Sequence, residues 1–357
     1  MNEDFVTRLG VALRDAADRE ERRQAPSRAL WTAWATVPRL QPSPLVATLV
    51  AVAVLAAGIF AATSFRSDSP APAAPKVVAR LAPAGGLDAV VPAFGSAWLV
   101  DTDSETLLRM DPATRRVIAR IPMHGSISLA PGKDTLWVGL TQNGEFRLLR
   151  IDPRTNRIVA RLRMPDVPGA LGRALPVFVG RNLWVLTAES AVRIDQKTNR
   201  PLGTVPTARD GYTTRSFARA DGDLWVQTSD GRLLRLDGAT GKRKATLRVP
   251  DGNEIGDLGM NGLFLFDGAS VSRVDARLHE LWRTPIQSTG PGVAAHGRLW
   301  IETPTAPRGD RVLTLDPRTG QVLDSVDVGE FGARWIDPIG SEVWMATAGG
   351  HVVILRR

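Results

Sequence analysis

The chain has 357 residues, is 43% hydrophobic and carries a net charge of +8, with forty of its forty-five basic residues arginine. It has no cysteine, which excludes disulfides, thiol catalysis and cysteine-ligated metal sites together. The positive charge is spread thinly, without the basic stripe and interleaved aromatics of a nucleic-acid binder, and reads as a mildly basic surface facing anionic envelope polymers.

Residues 1–44 hold seven arginines and six acids, for a net charge of +1. Phe5, Leu9, Leu13 and Ala16 recur at three- and four-residue spacing, which predicts an amphipathic helix over about 3–24. This tail reads either as a solvated helix or as a docking helix for a cytosolic partner. Trp31 and Trp34, with Arg39, suit the headgroup level of a membrane.

From Leu45 to Phe65 run 21 residues without a charge. At about 1.5 Å per residue they are long enough to cross a hydrocarbon core of about 30 Å. The 44 residues ahead of them are too many for an ordinary cleavable signal, although cleavage near 62–64 is the alternative. The seven arginines of the tail place the N-terminus in the cytoplasm and the remainder outside the cell membrane. Residues 66–75 are a Pro/Ala linker.

The remaining 282 residues, 76–357, repeat a phrase about every 40 residues. Gly95-Ser96-Ala97-Trp98-Leu99-Val100 leads to Arg109-Met110-Asp111-Pro112-Ala113-Thr114, and Asp134-Thr135-Leu136-Trp137-Val138 leads to Arg150-Ile151-Asp152-Pro153-Arg154-Thr155. The phrase returns around Trp184/Asp195, Trp225/Asp237, Phe264/Asp275, Trp300/Asp316 and Trp344. Four short strands per period predict an all-β, seven-bladed propeller, with six blades the alternative if the Phe264 repeat is degenerate. In the first repeat the strands are expected at about 87–93, 96–101, 106–111 and 116–121. The aspartates close type I turns and are structural. The last repeat breaks off at Val352–Arg357 without a fourth strand, while 76–82 matches the fourth strands 116–121 and 157–162, so the first strand is expected to complete the last blade.

The phrases running from Trp137-Val138 to Leu149-Arg150-Ile151-Asp152-Pro153-Arg154-Thr155-Asn156-Arg157-Ile158-Val159-Ala160, and Leu234-Arg235-Leu236-Asp237-Gly238-Ala239-Thr240-Gly241-Lys242, resemble the bacterial YVTN/NHL-like propeller repeats. That group includes the streptogramin lyase-like proteins, and the resemblance covers 76–357. It implies the propeller fold. Lyase activity in that family relies on a His and acid pair with a divalent metal, and no local motif here receives those residues.

Ligands of a propeller are expected over the central channel, on the face formed by the d-to-a and b-to-c connections. The long loops of that face nominate Arg173, Tyr212, Arg215, Asn253, Glu254 and Arg334 as ligand-binding residues. Tyr212 is the single tyrosine and with Arg215 would make a stacking and anion-binding corner. The four histidines are dispersed, with His296 in a turn, and show no metal-ligand spacing. No catalytic residue, metal or cofactor is assigned. The leading reading is a non-enzymatic, membrane-anchored recognition or scaffold propeller for a protein, a peptide or an envelope glycan. A lyase or lactonase-like enzyme acting on a small ester, and a transmembrane signalling regulator acting through the 1–44 tail, are the alternatives.

Overall fold

A computed structural model describes residues 74–164, 174–208, 213–287, 292–305, 309–329 and 332–357. The chain divides into two compact units, Met1–Ala71 and Pro72–Arg357. The expected tail helix, membrane span and most of the linker lie outside the described residues. Among the described residues no helix is long and apolar enough to cross a membrane.

Among the described residues twenty-eight strands form seven four-stranded antiparallel sheets. These are the blades, spanning 87–122, 126–163, 175–206, 214–248, 254–285, 292–327, and 333–356 joined by 76–81. In each the order is a-b-c-d from the inner strand outward. Blade 1, for example, contains Leu87–Ala93, Ser96–Asp101, Thr106–Asp111 and Arg116–Pro122. The first strand, Lys76–Leu81, pairs antiparallel with the last, Val352–Arg356, as strand d of blade 7.

Every strand b is packed on both faces by neighbouring blades, so it reads as an apolar run instead of an alternating one. All six residues of Ser96–Asp101, of Asp223–Thr228 and of Glu342–Thr347 are buried. Seven apolar clusters result, one at each blade junction, including the junction between blades 7 and 1, where Trp344, Val352 and Ile354 meet Leu87, Leu99 and Met110. The blade tryptophans Trp98, Trp137, Trp184, Trp225, Trp300 and Trp344, and Phe264, are all fully buried. Phe264 does not mark a degenerate repeat. Trp282, on the outer strand of the same blade, packs edge-on against it with centroids 6.0 Å apart and restores the missing volume.

Arginine on strand c fastens this packing. Arg109, Arg150 and Arg235 stack over Trp98, Trp137 and Trp225 at 5.2, 5.5 and 5.0 Å. The Arg109 guanidinium then reaches the c–d turn of blade 2, donating to the Pro153 carbonyl and to Asn156 Oδ1. Arg150 donates to the Gln196 carbonyl of blade 3, and Arg273 to the Pro317 carbonyl of blade 6. Trp184 makes the corresponding link itself, its indole N–H donating to the Gly238 carbonyl of blade 4 at 2.9 Å. Blade 7 has Ile354 opposite Trp344 and no arginine there. Its link runs through buried Glu342, which accepts from the Trp344 indole, from Arg356, and from Arg115 in the first blade's c–d turn.

The turn aspartates do what their spacing predicts. Asp111, Asp195, Asp237 and Asp316 each accept backbone N–H bonds from residues two and three positions on, and Asp152 from residue 154. Backbone donation holds Asp111 and Asp152 below the usual carboxylate range.

A β-bulge recurs at one position of every outer strand. The ladder skips Ile118, Val159, Leu202, Lys244, Leu281 and Leu323 in blades 1 to 6, and Val78 in blade 7. Five of these are exposed apolar residues, which accounts for most of the large hydrophobic side chains on the surface. A bulge twists the edge and interrupts its hydrogen-bonding row, which blunts the outer rim against pairing with another strand.

Blade 6 contains two buried acids on adjacent strands, Glu302 and Asp310. Asp310 Oδ2 accepts the Ala333 N–H at 3.1 Å, tying this hairpin to the inner strand of blade 7. Burial, with the charge and hydrogen bond of Asp310, pushes Glu302 up to about 7.

The packing, the turn bonds and this acid pair each set an expected outcome. Trp137→Ala should cost about 3–5 kcal/mol and Asp152→Ala about 1 kcal/mol, read by denaturant unfolding of the full chain. Because Glu302 holds its proton more tightly folded than unfolded, its contribution is present in full below its ordinary value of 4.5 and is lost as pH rises through about 7. Thermal unfolding across that window should show this decline in the native chain, and Glu302→Gln should flatten it.

Candidate functional site

The inner strands differ in length around the ring. Leu87–Ala93, Ser126–Pro131, Leu175–Val179, Thr214–Ala220 and Ala333–Ile339 run five to seven residues, whereas Glu254–Gly256 and Gly292–Ala295 have three and four. The five longer strands, of blades 1 to 4 and 7, enclose a central cavity of about 950 Å³. Thr102, Glu105 and Thr141 at its edge place it on the face made by the b–c and d–a connections, where a ligand was expected.

The wall combines aromatic and charged groups: Phe178, Phe217, Trp335, Asp88, Arg219 and Asp337. Arg219 is fixed before any ligand arrives. Its Nε and Nη2 donate to the two oxygens of Asp257 at 2.7 and 3.2 Å, and its backbone N–H donates to the same carboxylate at 2.8 Å. Burial opposes the Arg219 charge, but the Asp257 hydrogen bond and the charges of Asp257 and Asp337 outweigh it and raise the guanidinium above its usual value. Across the channel, the Trp335 indole N–H donates to Asp337 Oδ2 at 2.8 Å. Burial pushes Asp337 up to about 6, Asp257 adds to the rise, and Trp335 with Arg219 opposes it. Trp335 is 43% exposed, in contrast to the blade tryptophans. A rigid aromatic face beside a hydrogen-bonded acid is suited to grip a polar group with an apolar flank.

The residues nominated from the loops are only partly brought together. Arg215 and Glu254 pair with each other at 2.6 Å across blades 4 and 5, both about half exposed. Arg215 and Asn253 line a separate recess of about 300 Å³ with Arg248, Asp230 and Asp251. The Asn253 carbonyl accepts from Gln227 Nε2 at 2.8 Å, a bond that closes the loop onto its blade. Arg334 is exposed on the inner strand of blade 7 and lines neither space. Arg173 and Tyr212 lie outside the described residues, and so does the corner expected between Tyr212 and Arg215.

Arg219, Trp335 and Asp337 lie within inner strands, and the inner strands also begin earlier than expected, taking in Arg215, Glu254 and Arg334. One signal was present. Trp335 is out of register with the blade tryptophans, and a tryptophan that no blade core needs is available for another task.

Among the described residues no histidine lines the cavity. His296 and His124 sit in turns with positive φ. His279 Nδ1 lies 3.2 Å from Asp275 Oδ2, but in an outer turn with both side chains in solvent. No group of three His, Asp or Glu side chains among the described residues is placed to hold a metal ion.

No family model matches the chain. No curated protein matches it either. Solved structures match it in number, with 1362 chains, so the architecture is common and does not by itself indicate a role. Among them is the crystal structure of BamB from Moraxella catarrhalis, at 16% sequence identity and a TM-score of 0.50, covering 76% of this chain and 83% of that one. At that identity the likeness is one of fold.

Titration of Asp337 should be visible through the indole bonded to it. Tryptophan fluorescence of the native chain should show a transition near pH 6, and Asp337→Asn should abolish it while leaving the unfolding curve at pH 8 close to native.

Proposed function

We infer that the chain is a membrane-anchored, extracytoplasmic recognition propeller of the YVTN/NHL-like kind, which holds a segment of a protein or peptide, or an envelope glycan, in its central cavity. The observation that carries this reading is the cavity itself. It is large enough for a ligand, walled by rigid inner strands, and lined by an exposed tryptophan bonded to a carboxyl group and by an arginine already locked in place. Preorganised groups of this kind bind without first having to be ordered. A general base must lie within hydrogen-bond reach of the proton it takes, and the His279–Asp275 contact is in an outer turn away from the cavity, which favours binding over a lyase or lactonase reading. The uncharged 45–65 segment supports the anchor, and the arginines of 1–44 support a cytoplasmic N-terminus. The tail would then be available to a cytosolic partner.

The test is a thermal-shift panel on the purified full chain with basic peptides, acidic peptides, neutral oligosaccharides and small lactones. At least one peptide or oligosaccharide class should raise the melting temperature, since a ligand that binds only the folded state must do so. Trp335→Ala should remove the shift. Turnover of a lactone, or a shift unaffected by Trp335→Ala, would contradict the reading. An alkaline phosphatase domain fused after Arg357 should be active, as required if the propeller lies outside the membrane; a cytoplasmic propeller would leave it inactive.

A further inference from the structure

The charge that looks evenly spread along the sequence is not even on the ring. The outer strands of blades 1 and 2, Arg116–Pro122 and Arg157–Arg163, read RVIARIP and RIVARLR. They present five exposed arginines, Arg116, Arg120, Arg157, Arg161 and Arg163, and no acid. None of the five has an ion pair or side-chain hydrogen bond among the described residues. The other outer strands carry fewer unpaired arginines, Arg200 in blade 3 and Arg243 and Arg248 in blade 4, and some of their basic groups are engaged. Lys244 pairs with Asp223 and Asp237, and Arg283 with Asp267. Ile118 and Val159 stand between the free arginines, 53% and 56% exposed.

The bulges at Ile118 and Val159 interrupt the edge of each sheet, so this surface is suited to reading by side chains and not by an added strand. Planar guanidinium groups bind phosphate oxygens in pairs, and a branched apolar residue among them suits the boundary between headgroups and acyl chains. The adjoining outer strand, Lys76–Leu81 of blade 7, is separated from Phe65 by the ten residues 66–75. Ten residues span at most about 35 Å, so an anchor at 45–65 keeps this side of the ring within reach of the bilayer.

We propose that the outer strands of blades 1 and 2 dock on anionic phospholipid headgroups of the membrane that holds the 45–65 segment, leaving the cavity face free for its ligand. The proposal rests on the anchoring reading. A lipid surface is favoured over a soluble anionic polymer because the tether delivers the rim to it and because Ile118 and Val159 give the patch an apolar centre.

The experiment uses the full chain reconstituted into vesicles of phosphatidylcholine, with or without phosphatidylglycerol, and measures phenylglyoxal modification of each arginine by mass spectrometry. The five arginines should react at least about fivefold more slowly in the anionic vesicles, and high salt should restore their rate. Exposed Arg318, in the c–d turn of blade 6, should be unchanged and serves as the reference. Equal rates in neutral and anionic vesicles would overturn the proposal. So would equal protection by soluble polyphosphate over neutral vesicles, which would assign the patch to a polymer. Flotation at high salt reads the anchor separately: a chain that fails to float contradicts the anchoring reading and this proposal with it, whereas a chain that floats with unprotected arginines contradicts rim docking alone.

Discussion

The structure depends on one contact repeated around a circle: a large aromatic side chain in the second strand of each blade, buried against the next blade. No blade can cover both faces of its second strand alone. Each therefore requires a neighbour on either side, and the requirement is met only when the row closes on itself. Arginine stacking over the ring and bonding to the next turn makes the contact directional. At the junction of last and first blades the same task falls to Glu342, a different residue with three donors around it. The departure falls in the blade whose fourth strand is Lys76–Leu81.

Closure also shapes the central cavity. Inner strands held by seven buried junctions cannot move independently, so Trp335, Asp337 and Arg219 keep their positions without a ligand. The cost of bringing them together is met by the core and not by the ligand. Asp257, in the a–b connection of blade 5 just after its short inner strand, clamps Arg219 of blade 4 with both oxygens. Blade cores and channel lining thus use tryptophan in two opposite ways. One set is sealed away from water, and Trp335, the one exposed tryptophan among the described residues, is bonded to an acid whose proton affinity is raised by its setting.

Much of the fold was legible in the chain because its signals are local and repeated. A tryptophan, a turn and an aspartate recurring at a fixed spacing specify strand, hairpin and blade, and the Asx bonds at Asp111, Asp195 and Asp237 are made within three residues. Phe264 looked like a weak repeat because its compensation, Trp282, is on the outer strand and outside the phrase. The site was less legible because its members meet through the ring. Arg219 is 38 residues from Asp257, and Asp337 is on the far side of two further blades. Arg215 and Glu254 were expected on loops and lie at the starts of inner strands, where they satisfy each other at the surface and an ion pair contributes little. The bulges of the outer strands had no sequence mark at all, since a skipped residue is defined by its partner strand.

The ring combines a central cavity of about 950 Å³ with a rim whose exposed arginines gather on the outer strands of blades 1 and 2. Every element of it presupposes a closed circle. The most direct measurement is hydrogen exchange on the full chain, followed by mass spectrometry. A closed ring predicts that the amides of Lys76–Leu81 bonded to Val352–Arg356 exchange as slowly as the corresponding amides of Arg116–Pro122 in blade 1. Rapid exchange in both Lys76–Leu81 and Val352–Arg356, with the other blades protected, would show an open seam between blades 7 and 1 and would contradict the account.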